Sequence, residues 1–194
     1  MGRVIARLAS RNENKLRELA RVLEGWDLGL VDADRYPPED GSTYYDNALA
    51  KARYGLQFVD DGWVLGEDSG IEVEGLGGGP GILSARFGGD EQVGRLLAEL
   101  RGIEGDGRRA RYVCELVALS PSGEEVRGTG VLEGRIAEEP AGSEGFGYDP
   151  IFAPVGEELT VAQLGNEWKA ENSHRARAAR DLLRVMSSLG SSGV

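Results

Sequence analysis

A long alternating run near the middle of the chain constrains the fold more than any other feature of the sequence. The run from Arg108 to Ser120 alternates well enough for a long β-strand, with Tyr112, Cys114, Leu116 and Ala118 on one side. Pro121-Ser122-Gly123 is a turn sequence, and a second strand is predicted from Glu124 to Leu132. The two strands together predict a long β-hairpin.

Helices and shorter strands are predicted on both sides of this hairpin, which indicates an α/β fold with a mixed, twisted central sheet and flanking helices. We expect one bilobed domain over residues 1–194, because no Ser/Pro-rich or low-complexity stretch marks a linker. The other predicted strands are Val4 to Ala9, Leu28 to Ala33 and Trp63 to Gly66. A first helix is predicted where Leu16, Leu19 and Leu23 recur at helical spacing, and a second from Thr43 to Val59 with Ser42 or Thr43 as its cap. A third is predicted to contain Val93, Leu96 and Leu100 with Asp90 as its cap, and a fourth to run from Ser173 to Gly190.

Composition limits the classes of function. A net charge of −11 argues against binding of nucleic acid polymers, which depends on clustered cations, but it leaves room for a small anionic ligand in a locally basic site. No apolar run approaches the roughly 18 residues that span a bilayer, and the first ten residues lack a long apolar signal core. We therefore expect a cytoplasmic protein without membrane partners.

The chain has one cysteine, Cys114, and one histidine, His174. These single copies exclude an intramolecular disulfide, a multi-cysteine zinc site and a multi-histidine metal centre. Any metal is therefore expected to be held by oxygen ligands.

Two adjacent carboxylates stand out in the segment from Val64 to Gly89. Glu67 and Asp68 are expected to close a short strand, with Ser69-Gly70 turning the chain and a glycine-rich loop, Gly77 to Gly81, following. Carboxylates at a strand end can hold Mg²⁺ or act as a base. The alternative is an ordinary Asp-Ser-Gly turn beside structural glycines.

Only three of the 22 basic residues are lysines, and each lies in a segment with other polar residues. Lys15 follows the first strand-to-helix turn, where backbone N–H groups and the helix dipole favour an anion. Lys51 is on the next helix and Lys169 lies five residues before His174. No lysine stands in a Gly-Lys-Ser/Thr sequence, so the chain is not a P-loop NTPase, and no G-x-S-x-G serine elbow occurs.

Five ordered motifs resemble those of the inosine triphosphate pyrophosphatases, which act on non-canonical purine nucleoside triphosphates. The resemblance runs almost from end to end of the chain. Its motifs are Ser10-x-Asn12-x-x-Lys15, Asp46-Asn47-Ala48 with Lys51-Ala52, Glu67-Asp68-Ser69-Gly70 with the glycines and Ser84-Ala85-Arg86-Phe87 after it, Phe146-Gly147-Tyr148-Asp149-Pro150, and Ser173-His174-Arg175.

The resemblance implies a homodimeric hydrolase, with two lobes around a nucleotide cleft, that uses Mg²⁺ to convert ITP, dITP or XTP to the monophosphate and pyrophosphate. It implies that Asp68 is the general base and a metal ligand, and that Glu39 also holds the metal. The substrate-binding residues that it implies are Ser10, Asn12, Lys15, Lys51 and Ser69 for the triphosphate, Phe146 for stacking on the purine, Gly147 and Tyr148 in the same motif, and Asp149, Lys169, His174 and Arg175 for the base pocket.

The chemistry of the residues agrees with these roles. Donors such as His174 or Arg175 suit a 6-oxo purine and would leave a 6-amino purine mispaired. Asp40 and Glu67 compete with Glu39 as metal ligands, and Glu67 stands where many relatives have Asp. Two other functions remain open at this level: a nucleotide sensor without catalysis, and a metal-dependent phosphatase acting on monophosphates.

Overall fold

The computed structural model describes residues 3–191, and the two ends of the predicted domain, 1–2 and 192–194, lie outside the described residues. The described part contains a six-stranded sheet, five α-helices and short 3₁₀ segments. The strands are β1 (Ile5–Leu8), β2 (Asp27–Leu30), β3 (Trp63–Val73), β4 (Arg109–Leu119), β5 (Glu125–Ile136) and β6 (Phe152–Pro154), and the helices are α1 (Glu13–Val22), α2 (Tyr44–Gly55), α3 (Gln92–Glu99), α4 (Val161–Asn172) and α5 (His174–Ser191).

The sheet is mixed, and its strand order is β2-β1-β3-β4-β5-β6. Strand β1 pairs in parallel with β2 and with β3, whereas β5 and β6 are antiparallel. Strands β4 and β5 form the long hairpin, which turns where Gly123 N–H donates to the Ser120 carbonyl. The predicted α/β class, mixed sheet and hairpin are therefore confirmed.

The chain divides into two compact units. The first contains Met1–Asp68, Cys114–Gly130 and Arg175–Val194, and the second contains Ser69–Val113 and Val131–His174. Strands β3, β4 and β5 each contribute residues to both units.

The first unit has apolar clusters on helices α1, α2 and α5. Leu19 of α1 and Leu182 of α5 are fully buried in one cluster with the β-strand residues Leu8, Leu65 and Leu116. A second cluster joins α2 to the sheet through residues such as Ala48 and Val64. Truncating any one of the buried leucines to alanine typically costs about 2–5 kcal/mol of stability.

The second unit has its own core. Ile71 and Val73 of β3 pack in one buried cluster with Leu96 of α3, Phe152 of β6 and Val161 of α4. Neither α4 nor β6 was predicted from the sequence. Helix α4 is interrupted at Gly165, which has φ of 88°, and this break disrupts the apolar periodicity that would have revealed the helix.

The predicted end of β3 is wrong. The sequence suggested a strand ending at Gly66 and a turn at Ser69-Gly70, but β3 continues to Val73. The pairing of β1 with β3 ends at Leu65, so the segment lies beyond β1, and its strand is paired with β4 in the sheet. An extended chain there satisfies backbone groups, which overrides the turn chemistry of Ser and Gly. Glu67 and Asp68 consequently lie in the middle of a strand.

Local capping explains where the two N-terminal helices begin. Asn12 accepts hydrogen bonds from the N–H groups of Asn14 and Lys15 at the start of α1. Thr43 and Asp46 form a capping box at the start of α2, which selects Thr43 over Ser42 as the cap. None of the helices in residues 3–191 is both long and apolar enough to cross a membrane.

Candidate active site

The two carboxylates of β3 point to opposite faces of the sheet, because successive side chains alternate along a strand. Both are nearly inaccessible: Glu67 is 1% and Asp68 4% exposed. Buried carboxylates need charged or hydrogen-bonding partners, and each of the two has its own set. The two sets are built by different helices.

Helix α2 reaches Asp68 because β3 has no side chain at Gly66. A Cβ atom at this position would lie 1.9 Å from the Ala48 carbonyl oxygen and 2.7 Å from the Ala52 nitrogen. Only glycine permits this approach of helix to strand. The approach places the Asn47 amide nitrogen 3.0 Å from Oδ2 of Asp68 and the Lys51 Nζ 3.1 Å from Oδ1.

The surroundings of Asp68 suit a carboxylate that acts as a general base. Burial raises the pKa of Asp68 above its ordinary value, and the neighbouring carboxylates of Glu67 and Glu39 add to the rise. Lys51 and the hydrogen bond from Asn47 oppose it. A raised pKa makes the carboxylate a better proton acceptor.

Lys51 joins Asp68 to Glu39. Its Nζ lies 2.5 Å from Oε1 of Glu39, and the lysine side chain is 8% exposed. Burial opposes the charge on Lys51, but the two carboxylates outweigh that effect and raise its pKa, so the ammonium stays protonated. One cation is thus shared by two carboxylates from different parts of the chain.

The donor set around this cation fits a hard divalent metal. Glu39 and Asp68 provide carboxylate oxygens that already converge on one positive charge, and Mg²⁺ in nucleotide sites commonly uses one or two carboxylates together with substrate phosphates. Within residues 3–191 no group of three or more His, Cys, Asp or Glu side chains is arranged to hold a metal. Asp40 is exposed, and Glu67 is engaged on the opposite face.

On that opposite face, Glu67 is clamped by two cations. Lys15 Nζ lies 2.5 Å from Oε2, while Arg175 donates to Oε1 from Nε at 3.1 Å and from Nη2 at 2.9 Å. Arg175 also pairs with Glu18, and the Cys114 thiol lies 3.4 Å from Oε1 of Glu67. Although burial opposes ionisation, Arg175 and Lys15 hold the pKa of Glu67 well below its ordinary value.

The first turn of the chain places its polar side chains at the start of α1. The Ser10 hydroxyl accepts from the Asn12 N–H at 3.0 Å, and Asn12 in turn caps the helix. Lys15 follows one turn later with its side chain 16% exposed. A helix N-terminus that carries a lysine and a capping amide is a suitable site for an anion.

The second unit holds a separate polar cluster around Asp149. Its Oδ2 accepts from Lys169 Nζ at 2.6 Å and from the Phe146 N–H at 2.8 Å. Lys169 Nζ also lies 4.5 Å from the centre of the Phe146 ring. Gly145 permits this arrangement, because a Cβ there would lie 2.2 Å from Oδ2 of Asp149.

Two aromatic hydroxyls extend this cluster. Tyr148 donates to the Ser84 carbonyl at 2.9 Å, and burial raises the pKa of Tyr148 to about 12, so the hydroxyl keeps its proton. Tyr112 lies 3.3 Å from Oδ1 of Asp149, and its ring is stacked on the imidazole of His174. His174 and Asp149 are therefore joined through one buried tyrosine.

The predicted site residues fall into two groups. The sequence placed Arg175 with the base-binding residues, but the structure places it against Glu67 in the first unit. Sequence reasoning left out Glu18, Tyr112 and, as an organising residue, Glu67. The first unit carries Ser10, Asn12, Lys15, Glu39, Lys51, Asp68 and Arg175, and the second carries Ser69, Phe146, Gly147, Tyr148, Asp149, Lys169 and His174.

The missed residues had weak signals in the sequence. Tyr112 and Cys114 were predicted to share one side of β4, and both are buried. Glu18 lies three residues after Lys15 on α1, a spacing that looks like a surface pair. Their partners come from distant segments, so no local pattern could identify them.

Comparison with known proteins gives a consistent result over most of the chain. A sequence profile described as the Ham1 family matches residues 6–185. The chain is 40% identical over 190 residues to a dITP/XTP pyrophosphatase of Bdellovibrio bacteriovorus, covering 92% of this chain and 96% of the relative. It is 45% identical over 200 residues to a dITP/XTP pyrophosphatase of Mycobacterium bovis, covering 94% and 95%. A solved HAM1 protein of Coxiella burnetii superimposes with a TM-score of 0.82 at 31% identity, covering 95% and 99%.

Proposed function

The chain belongs to the Ham1 family, and from this premise we propose that it hydrolyses non-canonical purine nucleoside triphosphates, namely ITP, dITP and XTP, to the monophosphate and pyrophosphate. Relatives that align over nine-tenths or more of this chain bear the name dITP/XTP pyrophosphatase. The protein is thereby an enzyme acting on a phosphoanhydride bond.

The observation that carries the proposal is the environment of Asp68. This carboxylate is buried, its pKa is raised by burial, and it is held by Asn47 and by an ammonium that also binds Glu39. A catalytically silent nucleotide sensor would have no use for such a group. A buried and oriented carboxylate is suited to accept a proton from water.

We assign the reaction steps to residues of the chain as follows. Water attacks a phosphorus atom of the triphosphate as its proton passes to Asp68, and the bond to the departing pyrophosphate breaks. Lys51 and Lys15, with Ser10, Asn12 and Ser69, bind phosphate oxygens and stabilise the charge that develops on them. Because Lys15 is already paired with Glu67, a substrate phosphate must either share the Lys15 ammonium with that carboxylate or displace the carboxylate from it.

The cofactor in this proposal is Mg²⁺. Glu39 and Asp68 would hold it, since their oxygens suit a hard cation and already converge on one positive charge. When bound, the ion neutralises phosphate charge and polarises phosphoryl oxygens.

The polar cluster of the second unit is proposed to bind the base. Phe146 stacks on the purine, and Asp149, Lys169 and His174 read its edge, with Gly147 and Tyr148 shaping the loop. A 6-oxo group accepts hydrogen bonds where a 6-amino group donates them, so donors on Lys169 and His174 favour hypoxanthine and xanthine over adenine. Arg175 belongs to the first unit, where it donates hydrogen bonds to Glu67.

Three further parts of the proposal concern the whole protein. We propose one bilobed domain that works as a cytoplasmic homodimer. The net charge of −11 is consistent with a small nucleotide substrate in place of a nucleic acid polymer.

The proposal is tested by product analysis. The protein is incubated with Mg²⁺ and, separately, with ITP, dITP, XTP, ATP and GTP, and pyrophosphate and orthophosphate are quantified. We expect pyrophosphate as the initial product, with the three non-canonical nucleotides cleaved much faster than ATP and GTP. Orthophosphate as the first product, or equal rates on ITP and ATP, contradicts the proposal.

A further inference from the structure

A buried tyrosine of β4 links two groups of the second unit that come from different segments. Tyr112 is 6% exposed, and its ring is parallel to the imidazole of His174, with centroids 4.4 Å apart and planes within 6°. Its hydroxyl lies 3.3 Å from Oδ1 of Asp149. One side chain therefore contacts two groups that are 25 residues apart in sequence, as their numbers show.

The contacts of Tyr112 are divided between ring and hydroxyl. The flat face sets the plane of His174, because a stacked imidazole cannot tilt without losing the contact. The hydroxyl faces the oxygen of Asp149 that does not receive the hydrogen bonds of Lys169 and Phe146, which go to Oδ2. Both oxygens of Asp149 are thus given fixed partners, and this orients the carboxylate.

Core packing alone does not require this residue. Tyr112 also packs against Phe152, with centroids 4.5 Å apart, in an apolar cluster where a phenylalanine would fill the same space. A buried hydroxyl is costly unless it has a partner, and here the partner is a carboxylate, which forms stronger hydrogen bonds than a neutral acceptor.

We propose that Tyr112 is a positioning residue for base discrimination: it fixes the imidazole plane of His174 and the carboxylate of Asp149, so that both meet the edge of a 6-oxo purine in one orientation. This inference rests on the proposed function, because it assigns the discrimination to that reaction. Tyr112 acts through its two neighbours and takes no part in the chemical step.

The kinetic test separates the ring from the hydroxyl. Tyr112→Leu removes both contacts, whereas Tyr112→Phe keeps the stacking and loses only the hydroxyl. With Mg²⁺ present, we expect Tyr112→Leu to lower the ITP/ATP ratio of kcat/KM by about 10-fold or more, mainly through KM for ITP. We expect Tyr112→Phe to lower the ratio by roughly 3-fold, since one hydrogen bond is lost.

A merely structural role gives a different result. Phe152→Leu loosens the same core while Tyr112 stays in place, and it should lower the melting temperature with the ITP/ATP ratio unchanged. If folded Tyr112→Leu protein loses activity on ITP and ATP by the same factor, or keeps the original ratio, the positioning role is overturned.

A second measurement does not depend on activity. His174 is the sole histidine of the chain, so the imidazole protons of untagged protein give one NMR signal set. Stacking on Tyr112 shifts these signals by the ring current, and we expect Tyr112→Leu to remove the shift and Tyr112→Phe to keep it. If the unaltered protein shows no preference for ITP, the proposed function fails, and unchanged imidazole signals in Tyr112→Leu independently overturn the positioning of His174.

Discussion

Lys51 Nζ lies 3.1 Å from Oδ1 of Asp68, and the same nitrogen lies 2.5 Å from Oε1 of Glu39. Two carboxylates that repel each other are therefore held together by one buried ammonium. The contact exists because Gly66 admits α2 against β3, which brings Lys51 onto the strand. This arrangement combines a proton acceptor with a place for positive charge, which is what cleavage of a phosphoanhydride requires.

Replacing Lys51 tests this shared charge. Lys51→Met keeps much of the apolar stem but removes the ammonium, so Glu39 and Asp68 repel and the substrate phosphates lose a cation. We expect kcat/KM for ITP to fall by about 100-fold or more. The matched control is Arg53→Met, which removes an exposed cation from the same helix and should leave the rate within about twofold. Comparable losses in the two variants contradict the role of Lys51.

Glu67 is predicted to stabilise the first unit in a pH-dependent manner. In the Glu67→Gln variant, Arg175 and Lys15 lose their buried anion, so we expect a loss of about 3–5 kcal/mol in the free energy of unfolding at pH 7. Urea unfolding of both proteins measures this difference. Glu74→Gln, at an exposed position just after β3, is the control and should change stability by less than about 0.5 kcal/mol.

The sign of the pH dependence follows from the lowered pKa of Glu67. Its ionised form contributes stability above the ordinary value of 4.5, and this contribution is lost as the pH falls through the lower value in the folded protein. The stability difference between unaltered protein and Glu67→Gln should therefore shrink as the pH is lowered from 4.5. A difference that grows towards acidic pH contradicts the ion-pair assignment.

Gly66 is predicted to be irreplaceable by alanine. The added Cβ would lie 1.9 Å from the Ala48 carbonyl oxygen, and a backbone atom of a packed helix cannot move aside cheaply. We expect Gly66→Ala to destabilise the protein by roughly 2 kcal/mol or more and to lower activity, because α2 carries Lys51. Thermal unfolding and the pyrophosphate assay measure the two effects.

Gly94 supplies the opposite case. It lies within α3, and a Cβ there would meet no atom within 4 Å. Gly94→Ala should therefore stabilise the protein by about 0.5–1 kcal/mol without changing activity, since alanine is the better helix former. Equal behaviour of the two variants would show that the close approach at Gly66 does not exist.

Phe146 is predicted to contribute affinity and no selectivity. Every purine can stack on its ring, so Phe146→Leu should raise KM for ITP and for ATP by a similar factor, about 5- to 160-fold, as expected for the loss of about 1–3 kcal/mol of stacking. Steady-state kinetics on both nucleotides checks this. A selective loss on ITP alone would assign discrimination to the ring.

The sequence predicted the fold where local periodicity was strong. The hairpin of β4 and β5, the strand and helix at Ile5–Leu8 and Glu13–Val22, and the Thr43 cap were all expected from spacing and capping chemistry. The continuation of β3 through Ser69-Gly70 was not expected, because turn-forming residues stay extended when a neighbouring strand pairs with their own strand.

The candidate site was predictable to a similar extent. Lys15 and Lys51 stood out because the chain has only three lysines, and Asp68 because it follows a second carboxylate directly. The sequence did not reveal the hydrogen bonds from Arg175 to Glu67 or the stacking of Tyr112 on His174, since each joins residues more than 60 positions apart in sequence. Such pairs depend on tertiary packing, and a residue pattern within one segment contains no trace of them.

The most direct test of the account is the rate of pyrophosphate release from ITP by Asp68→Asn, measured from acidic to mildly alkaline pH with Mg²⁺. Asparagine keeps the shape of the side chain but cannot accept a proton. The unaltered protein should lose kcat/KM towards acidic pH as Asp68 becomes protonated, which gives the profile an acid limb. Asp40→Asn, at an exposed neighbouring carboxylate, should keep this profile.

We predict that folded Asp68→Asn protein releases pyrophosphate at least about 100-fold more slowly and shows no acid limb, as expected when a general base is removed. A folded Asp68→Asn variant with full activity and an unchanged pH profile would contradict the central claim that Asp68 activates water.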